Sequence, residues 1–371
     1  MGDGSTFAGR IQPQDYDVFI GMDVDKRSIV LSQIDHSGTE KMVRMPHRGT
    51  CLLNYVRRHL PGQRTAFVYE AGPTGFGLYD SLTAAGHPCL VVTPAAVPTA
   101  RGRRVRTNRL DARKLALQLR GGSLQGIRVP SEDYRMLREF VQLRKLHMTE
   151  AARCKQRIKA LFLRHGLDFP GASPGGTWSR KLLEALRQYP CPSALHFKLG
   201  SLLTSLEFSR WQAVHAQAEM RRFVEATPEI ADSVRYAMSV PGVGWIIATY
   251  AVARIGDWRR LGESSETASF FGLTQREDST GDQAERGPIT KAGDPVMRSL
   301  LIEGAWTAIR KDAELRAFYE RVKANHAKDK AARIAIVAVA RKLACRLHCV
   351  LKERREYQVR IIEEEMRATD Q

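Results

Sequence analysis

Apolar residues in the first quarter of the chain occur in short runs that are typical of strands. Three runs follow closely, as in a β-meander, and two more alternate with segments of helical spacing. The predicted strands are Asp17–Val24, Ser28–Ile34, Lys41–Met45, Thr65–Glu70 and Pro88–Val92, and the predicted helices are Thr50–His59 and Phe76–Ala85. This order predicts an α/β domain with a mixed central sheet, which we place at residues 17–125.

The remainder of the chain is patterned mainly as helices. Ser131–Gly166 has apolar positions at helical spacing opposite a basic face, and the Gly- and Pro-rich stretch Asp168–Thr177 is typical of a linker. Helical spacing resumes in 178–229, 246–255, 296–311, 314–324 and 331–351. The resulting division is a disordered tail at 1–16, a helical, coiled-coil-like middle at 126–235, a mainly helical C-terminal domain at 236–352 and a charged tail at 353–371.

One polar stretch, Gly272–Arg298, interrupts the helical pattern. It contains two adjacent hydroxyls, Ser279 and Thr280. The basic residues around them are Arg276, Arg286, Lys291 and Arg298. The residues expected to keep the stretch irregular are Gly287, Pro288 and Gly293. A nucleophilic hydroxyl among cations suits attack on a phosphodiester, because the cations hold the phosphate and offset developing charge. A polar surface loop has the same composition, and this stretch alone does not distinguish the two.

The overall charge changes the picture by indicating a partner. The net charge is +18 and the isoelectric point is about 9.9, which predicts a polyanion, either nucleic acid or an acidic membrane surface. No apolar run approaches the ~18 residues of a membrane span, and the first ten residues lack a signal-peptide core. Nucleic acid is therefore favoured, and no membrane contact is expected. Six cysteines without CxxC spacing indicate a reducing, cytoplasmic location.

The positive charge is concentrated between residues 101 and 166. This segment has 18 Lys and Arg residues against 5 Asp and Glu. A cluster at its start is placed to receive a phosphate backbone. Its members are Arg101, Arg103, Arg104 and Arg106.

Three acidic residues stand at informative places near the predicted sheet. Asp23 and Glu70 each close an apolar strand, and Asp111 lies at the start of a probable helix. Strand-end carboxylates can meet at one edge of a sheet, and three of them could hold Mg²⁺ for phosphoryl transfer. Each one singly is also ordinary turn or helix-cap chemistry. Only the set of three, in a strongly basic protein, points to a metal site.

The segment SVPGVG at 239–244 lies between two predicted helices. It is similar to a helix-hairpin-helix element, in which backbone N–H groups hold a phosphate. A tight turn between helices uses the same residues, so both interpretations stand.

Taken together, the motifs resemble one family, the insertion-sequence "one-ten" or DEDD transposases. The matching segments, in the family's order, are GMD around Asp23, VYEAGPTG around Glu70, RTNRLDARKLA around Asp111, SVPGVG, and GLTQREDSTG with RGPITKAGDPVMR at 272–298. The resemblance covers roughly residues 17 to 350. It implies an RNase H/RuvC-like domain followed by a transposase domain, with a composite active site of Mg²⁺-binding acids and a serine nucleophile.

The resemblance also implies partners. Better-studied members are guided by a structured non-coding RNA that pairs with target and donor DNA, and they work as oligomers. We therefore expect DNA at the element ends and target, a guide RNA, and a dimer that pairs into a tetramer, working at the prokaryotic nucleoid. The target sequence would reside in the RNA and cannot be deduced from the protein.

The family's functional residues carry over with two departures. Asp23, Glu70 and Asp111 match the first, second and last acids, whereas the third acid is replaced by Asn108, which offers a neutral oxygen. The family's hydroxyl often directly precedes the glycine, where this chain has Thr280. The extra methyl group of threonine crowds the approach to a phosphate, so Ser279 is preferred and Thr280 is the alternative. The expected phosphate contacts are Arg276, Lys291 and Arg298, on charge and proximity in sequence.

Two other functions use the same residues. In an RNase H-like metal nuclease or resolvase, the three acids suffice and Ser279 is an ordinary loop residue. In a catalytically silent nucleic-acid-binding protein, Asn108 marks a defective acidic site. The C-terminal domain has no evident purpose in a simple nuclease, which favours the recombinase.

Overall fold

The computed structural model describes residues 9–94, 107–171, 176–280 and 283–358, with the backbone alone for 276–280 and 283–286. The chain divides after Ser131 into two compact units. The helical middle and the C-terminal domain, which the sequence pattern separates, both fall in the second unit. The first unit extends a few residues beyond the predicted domain end at residue 125.

The first unit is built on a mixed sheet, as predicted. Its strands are β1 (Val18–Val24), β2 (Ser28–Asp35), β3 (Glu40–Pro46), β4 (Thr65–Glu70) and β5 (Cys89–Val92). They lie in the order β3-β2-β1-β4-β5. The first three strands pair antiparallel, whereas β4 runs parallel to both β1 and β5. Each strand lies within one or two residues of its predicted bounds.

Helices cover both faces of this sheet, because strand residues alternate between two apolar faces. One face packs against α1 (Gly49–His59) and α2 (Gly77–Ala84) through Ile20, Met22, Phe67 and Tyr69. The opposite face packs against α3 (Asn108–Arg120) through Phe19, Ala66, Val68 and Leu90. This second face also presents the acidic residues.

Part of the predicted disordered tail at 1–16 is ordered against the sheet. Ile11 is buried with Phe19 in the core of the α3 face, and Pro13–Asp15 form a 3₁₀ turn. Burial of one apolar side chain ties this segment to the sheet. Residues 1–8 lie outside the described residues.

The second unit begins with two long helices. Its first elements are α4 (Glu132–Arg164), α5 (Arg180–Arg187) and α6 (Ser193–Ala226). An apolar cluster that includes Ile158, Leu161 and Leu203 joins α4 and α6. The helix expected over 178–229 is divided, because Pro190 and Pro192 separate α5 from α6. Of the predicted linker, 168–171 are described without helix or strand and 172–175 are outside the described residues.

The rest of the second unit is a helical core with one hairpin. The helices are α7 (Pro228–Met238), α8 (Trp245–Ile255), α9 (Ser264–Phe270), α10 (Pro295–Lys311), α11 (Ala313–Ala324) and α12 (Lys328–Glu353). The prediction of irregular backbone from Gly272 to Arg298 was wrong. Two antiparallel strands occupy much of it, β6 (Gln275–Thr280) and β7 (Gln283–Ile289). Within the described ranges, no helix is long and apolar enough to cross a membrane.

Candidate active site

The sheet brings two of the predicted acids side by side. The pairing of β1 with β4 ends at Met22 and Tyr69, so Asp23 and Glu70 are the next residues on neighbouring parallel strands. Met22 and Tyr69 point into the core of the α1/α2 face. Asp23 and Glu70 therefore lie on the opposite face, because strand side chains alternate. Both are partly buried.

A glycine lets α3 approach the same face closely. A Cβ atom on Gly21 would lie 2.2 Å from the carbonyl oxygen of Ala112 and 2.3 Å from the amide nitrogen of Ala116. Gly21 is two residues before Asp23, on the same face of β1, and Asp111 directly precedes Ala112. The close approach of α3 to Gly21 therefore brings Asp111 to the end of the sheet where Asp23 and Glu70 lie.

The pKa of Asp23 reflects the acids around it. Partial burial raises its pKa above the usual value, and the negative charges of Asp111, Glu70 and Asp25 raise the pKa further, in that order. A carboxylate whose charge raises the pKa of Asp23 must lie near Asp23 in space. The three predicted acids, from separate segments of the sequence, thus share one electrostatic environment.

The chemistry of the acids suits a hard divalent cation. Oxygen donors alone are available, and a cation would relieve the repulsion that raises the pKa of Asp23. The carboxylates are not, however, drawn into a finished metal cage. Among the described residues, no three His, Cys, Asp or Glu side chains are close enough to hold one ion together.

A hydrogen-bonded network that the sequence pattern did not reveal fixes α3 on the sheet. Arg113 Nε donates to Glu40 Oε2 at 2.8 Å, and Ser32 Oγ donates to Glu40 Oε1 at 3.1 Å. Farther along the helix, Arg120 Nη1 donates to the Asp35 carbonyl oxygen at 3.2 Å. Such links between distant segments have no signature in spacing, since a charged residue on a helix face is usually solvated.

Asn108 begins α3, one turn before Asp111. The preceding Thr107 caps the helix by accepting the Leu110 amide at 3.3 Å, and Asn108 itself is exposed. Residues three apart lie on one helix face, so Asn108 and Asp111 face the same way. The predicted basic cluster just upstream lies outside the described residues, and it comprises Arg101, Arg103, Arg104 and Arg106.

The hydroxyl pair lies near the tip of the hairpin in the second unit. The backbone of Ser279 pairs with Ala284 and that of Thr280 with Gln283, at the end of β6. The side chains of Ser279, Thr280 and Arg276 lie outside the described residues, as do residues 281 and 282.

Close backbone contacts hold the base of this hairpin. Gly272 and Gly293 both have positive φ, and a Cβ on Gly293 would lie 2.4 Å from the Phe270 carbonyl oxygen. Arg298 Nη1 donates to the carbonyl oxygens of Phe271 and Lys291, at 3.2 and 3.3 Å. Arg298 thus stabilises the hairpin base, and a role for Arg298 or the exposed Lys291 in phosphate binding stays a prediction.

The SVPGVG segment forms the turn between α7 and α8. Gly242 has a φ of +85°, and a Cβ there would lie 2.4 Å from the carbonyl oxygen of Gly304 in α10. The reverse also holds, since a Cβ on Gly304 would lie 2.8 Å from the Gly242 carbonyl oxygen. These contacts show that close packing against α10 leaves no room for a side chain at Gly242. Phosphate binding at this turn stays a prediction.

Comparison with known proteins adds two family matches. A model for DEDD transposases of the IS110 type matches residues 20–166, which include Asp23, Glu70 and Asp111. A model described as transposase of the IS116/IS110/IS902 family matches residues 234–320, which include Ser279.

Curated relatives match along most of the chain. The putative transposase y4qE of Sinorhizobium fredii is 32% identical over 305 residues, 81% of this chain and 74% of the relative. The transposase for IS1533 of Leptospira borgpetersenii is 24% identical over 78% of this chain and 84% of its own length. The transposase for IS1111A of Coxiella burnetii is 24% identical over 83% of this chain and 84% of its own length.

Proposed function

Because the chain belongs to the IS116/IS110/IS902 family of transposases, enzymes that cut and rejoin DNA, we propose that it moves its own insertion sequence through a cluster of acids and a serine hydroxyl. The observation that carries the proposal is the grouping of Asp23, Glu70 and Asp111 at one face of the sheet, where partial burial and then the charges of the other two acids raise the pKa of Asp23. A polar surface without catalytic use would gain nothing from clustered repulsion.

The family implies divalent metal ions, and we propose Mg²⁺. As they stand, Asp23, Glu70 and Asp111 are not close enough to hold one ion together, so a bound ion would have to draw their carboxylates inward, with Asn108 as a neutral oxygen donor nearby. When bound, the ion polarises a phosphoryl oxygen as a Lewis acid. The acids would hold such an ion beside the DNA phosphate, and α3 sets the place of Asp111 relative to the sheet.

The proposed nucleophile is Ser279, with Thr280 as the alternative. The Oγ atom would form a bond to phosphorus while a P–O bond of the DNA strand breaks and the leaving oxygen takes the hydroxyl proton. The product is a covalent protein–DNA adduct with a free hydroxyl end. Its support is the location of the pair on a hairpin among basic residues, within the matched transposase segment.

The proposed partners are DNA at the element ends and target and a structured guide RNA at the nucleoid. The net charge of +18 supports polyanionic partners of substantial size. RNA guidance is tested by leaving the element's flanking RNA out of the reaction.

We also propose that the protein forms a homo-oligomer through α6. The helix buries one face against α4, and the opposite face carries exposed aromatic rings, with Phe208 and Trp211 stacked at 6.2 Å. Phe197 is 81% exposed, Phe208 56% and Trp211 53%. Residues at three- and four-residue steps along this face carry no fixed charge, and they are Phe197, Ser201, Thr204, Phe208, Trp211 and His215. A neutral apolar face on a strongly basic chain suits a second copy better than nucleic acid.

A second candidate function is metal-dependent cleavage without covalent chemistry. The grouping of the acids in the first unit favours it, because such a set can support hydrolysis of a phosphodiester without a protein nucleophile. The two functions differ in whether an adduct forms.

The deciding experiment traps reaction intermediates. Purified protein is incubated with element DNA, flanking RNA and Mg²⁺, and denaturing gels then detect protein-linked DNA. The proposal expects an adduct with the parent and Thr280→Ala, and none with Ser279→Ala or Asp23→Ala. Glu320→Ala, at an exposed site on α11, is the matched control and should behave as the parent.

Other outcomes redirect the assignment. Loss of the adduct only in Thr280→Ala would move the nucleophile by one residue. Mg²⁺-dependent cutting that never gives an adduct, and that survives Ser279→Ala, would leave the nuclease. Activity that is unchanged in Asp23→Ala would remove the acidic site from the reaction.

A further inference from the structure

We infer that Arg44 and Arg109 form a phosphodiester-binding subsite beside the acids, which holds the DNA strand at a phosphate flanking the one that is cleaved. The inference rests on the proposed function, because that function identifies the bound strand as the DNA that is cleaved. Three observations support it: a row of neighbouring strand positions, a cavity at the end of that row, and the ion pairing of the basic residues around the cavity.

The row begins at the acids and runs across four strands. Val30 on β2 pairs with Asp23 on one side and with Arg44 on β3 on the other. Glu70, Asp23, Val30 and Arg44 are therefore successive positions on the α3 face, since directly paired residues share a face. Arg44 lies two strands from Asp23, a distance of roughly 10 Å at about 4.8 Å per strand. The positive end of the row is thus within reach of the same nucleic-acid strand.

A cavity of about 400 Å³ opens at this end of the row. Its lining comes from β2, β3 and the start of α3, and consists of Val30, Met42, Val43, Arg44, Thr107, Asn108 and Arg109. Ser28 Oγ orients the Arg44 guanidinium by accepting from Nε at 3.4 Å and from Nη2 at 3.3 Å. Two arginines, from different elements, therefore contribute to one small space.

The pairing of the arginines distinguishes this cavity from the surrounding basic surface. Arg113, one turn after Arg109 on α3, is neutralised by Glu40 at 2.8 Å. Among the residues that the structure describes, no acid forms an ion pair with Arg44 or Arg109. Two like charges facing one cavity repel each other, and an anion placed between them would relieve that repulsion. The planar guanidinium fork matches the oxygens of a phosphate.

The lining also indicates which part of the DNA enters. The described residues that line it offer guanidinium, amide and hydroxyl groups, and none of them has an aromatic ring on which a base could stack. Contacts of this kind go to the sugar–phosphate backbone and position the strand without reading sequence. That suits a protein whose target choice is proposed to lie in a guide RNA.

The first test measures how the full-length protein binds element-end DNA at several salt concentrations, without divalent metal. Arg44→Ala and Arg109→Ala should each weaken binding by about tenfold. Each should also reduce the slope of log K against log salt by about 1, as expected for one lost phosphate contact. The matched control is Arg58→Ala, an exposed arginine on α1 at the other face of the sheet, which should leave the slope unchanged. Arg44→Lys should keep the slope and recover part of the affinity.

The second test locates the phosphate. A neutral methylphosphonate replaces one phosphate at a time on either side of the cleavage position. One replacement should weaken binding by the parent as much as Arg44→Ala does, and should have no further effect on Arg44→Ala protein. If the losses of affinity from Arg44→Ala and from each methylphosphonate added up at every position, the assignment of the subsite would be overturned.

The outcomes separate the subsite from the proposed function. Binding to DNA that is the same for Arg44→Ala, Arg109→Ala and Arg58→Ala would overturn the inference, whatever the catalytic result. Loss of binding to guide RNA alone would overturn the assignment to the DNA strand. Failure of the proposed function would instead appear as absence of cutting and adduct in the parent, with the salt slopes still altered in the two variants.

Discussion

Gly21→Ala is the substitution with the most directly calculable effect, because α3 lies against this residue. The added Cβ would lie 2.2 Å from the Ala112 carbonyl oxygen, whereas ordinary contact begins near 3.4 Å. The helix backbone would therefore have to retreat by about 1.2 Å, and no side-chain rotation can relieve the clash. Overpacking of this kind costs about 3 kcal/mol, the upper end of its usual range. For a unit of this size the melting temperature should fall on the order of 10 °C.

The same displacement should impair catalysis, because α3 carries Asp111. A shift of about 1 Å in a reacting group commonly reduces the rate about 100-fold. Calorimetry of the full chain without metal would resolve the transition of the first unit, and strand cleavage at a permissive temperature would report activity. Gly77→Ala is the control, since nothing lies within 4 Å of its new Cβ and alanine favours the helix. If Gly21→Ala melted and cleaved like Gly77→Ala, the close approach of α3 to β1 would be refuted.

Three further predictions concern charge and association. Because the folded-state pKa of Asp23 is raised above 3.8, the stability of the metal-free protein should fall as pH rises from 3.8 through the folded pKa. Asp23→Asn should remove this loss and raise the melting temperature at neutral pH. A lower melting temperature would contradict the electrostatic argument. Asp312→Ala should destabilise the second unit by about 3 kcal/mol in denaturant unfolding, because it removes the N-cap of α11 and the closest partner of the largely buried Arg346. A loss of stability below about 1 kcal/mol would show that the remaining partner of Arg346 suffices. Replacing Phe208 and Trp211 by Ser should convert the oligomer to monomer in sedimentation, and retention of the parent's mass would exclude α6 as the interface.

The sheet could be predicted from sequence because its strands obey a simple burial rule. Thr65–Glu70 was predicted with the observed bounds, since five buried residues in a row end at a polar one. The position of Glu70 beside Asp23 also followed, because both close parallel strands of one sheet. Their location on the α3 face, in contrast, depends on register and on which helix covers which face. Neither the register nor the choice of covering helix can be deduced from the local pattern of apolar residues.

The hairpin could not be predicted from sequence, because its strands do not follow the burial rule that the strands of the sheet obey. Its strands, QREDST and QAERGPI, have almost no apolar residues, so they lack the alternation that marks a half-buried strand. Their support comes from the base, where Gly272 and Gly293 allow backbone segments to cross closely. Gly293 was interpreted as a breaker of regular structure, and in the fold it enables the hairpin.

If position 108 is an acid in related transposases, as the resemblance implies, the neighbours of Asn108 suggest why a neutral residue suits this chain. Asn108 belongs both to the helix face of Asp111 and to the lining of the cavity with Arg44 and Arg109. A carboxylate at position 108 would add to the repulsion that already raises the pKa of Asp23, and it would also pair with a nearby arginine. Either interaction would weaken the separation between an acidic half that suits a cation and a basic half that suits a phosphate. A neutral amide keeps that separation, which our proposals need if the three carboxylates are to serve the cleaved phosphate and the two arginines, neither ion-paired within the described residues, the flanking one.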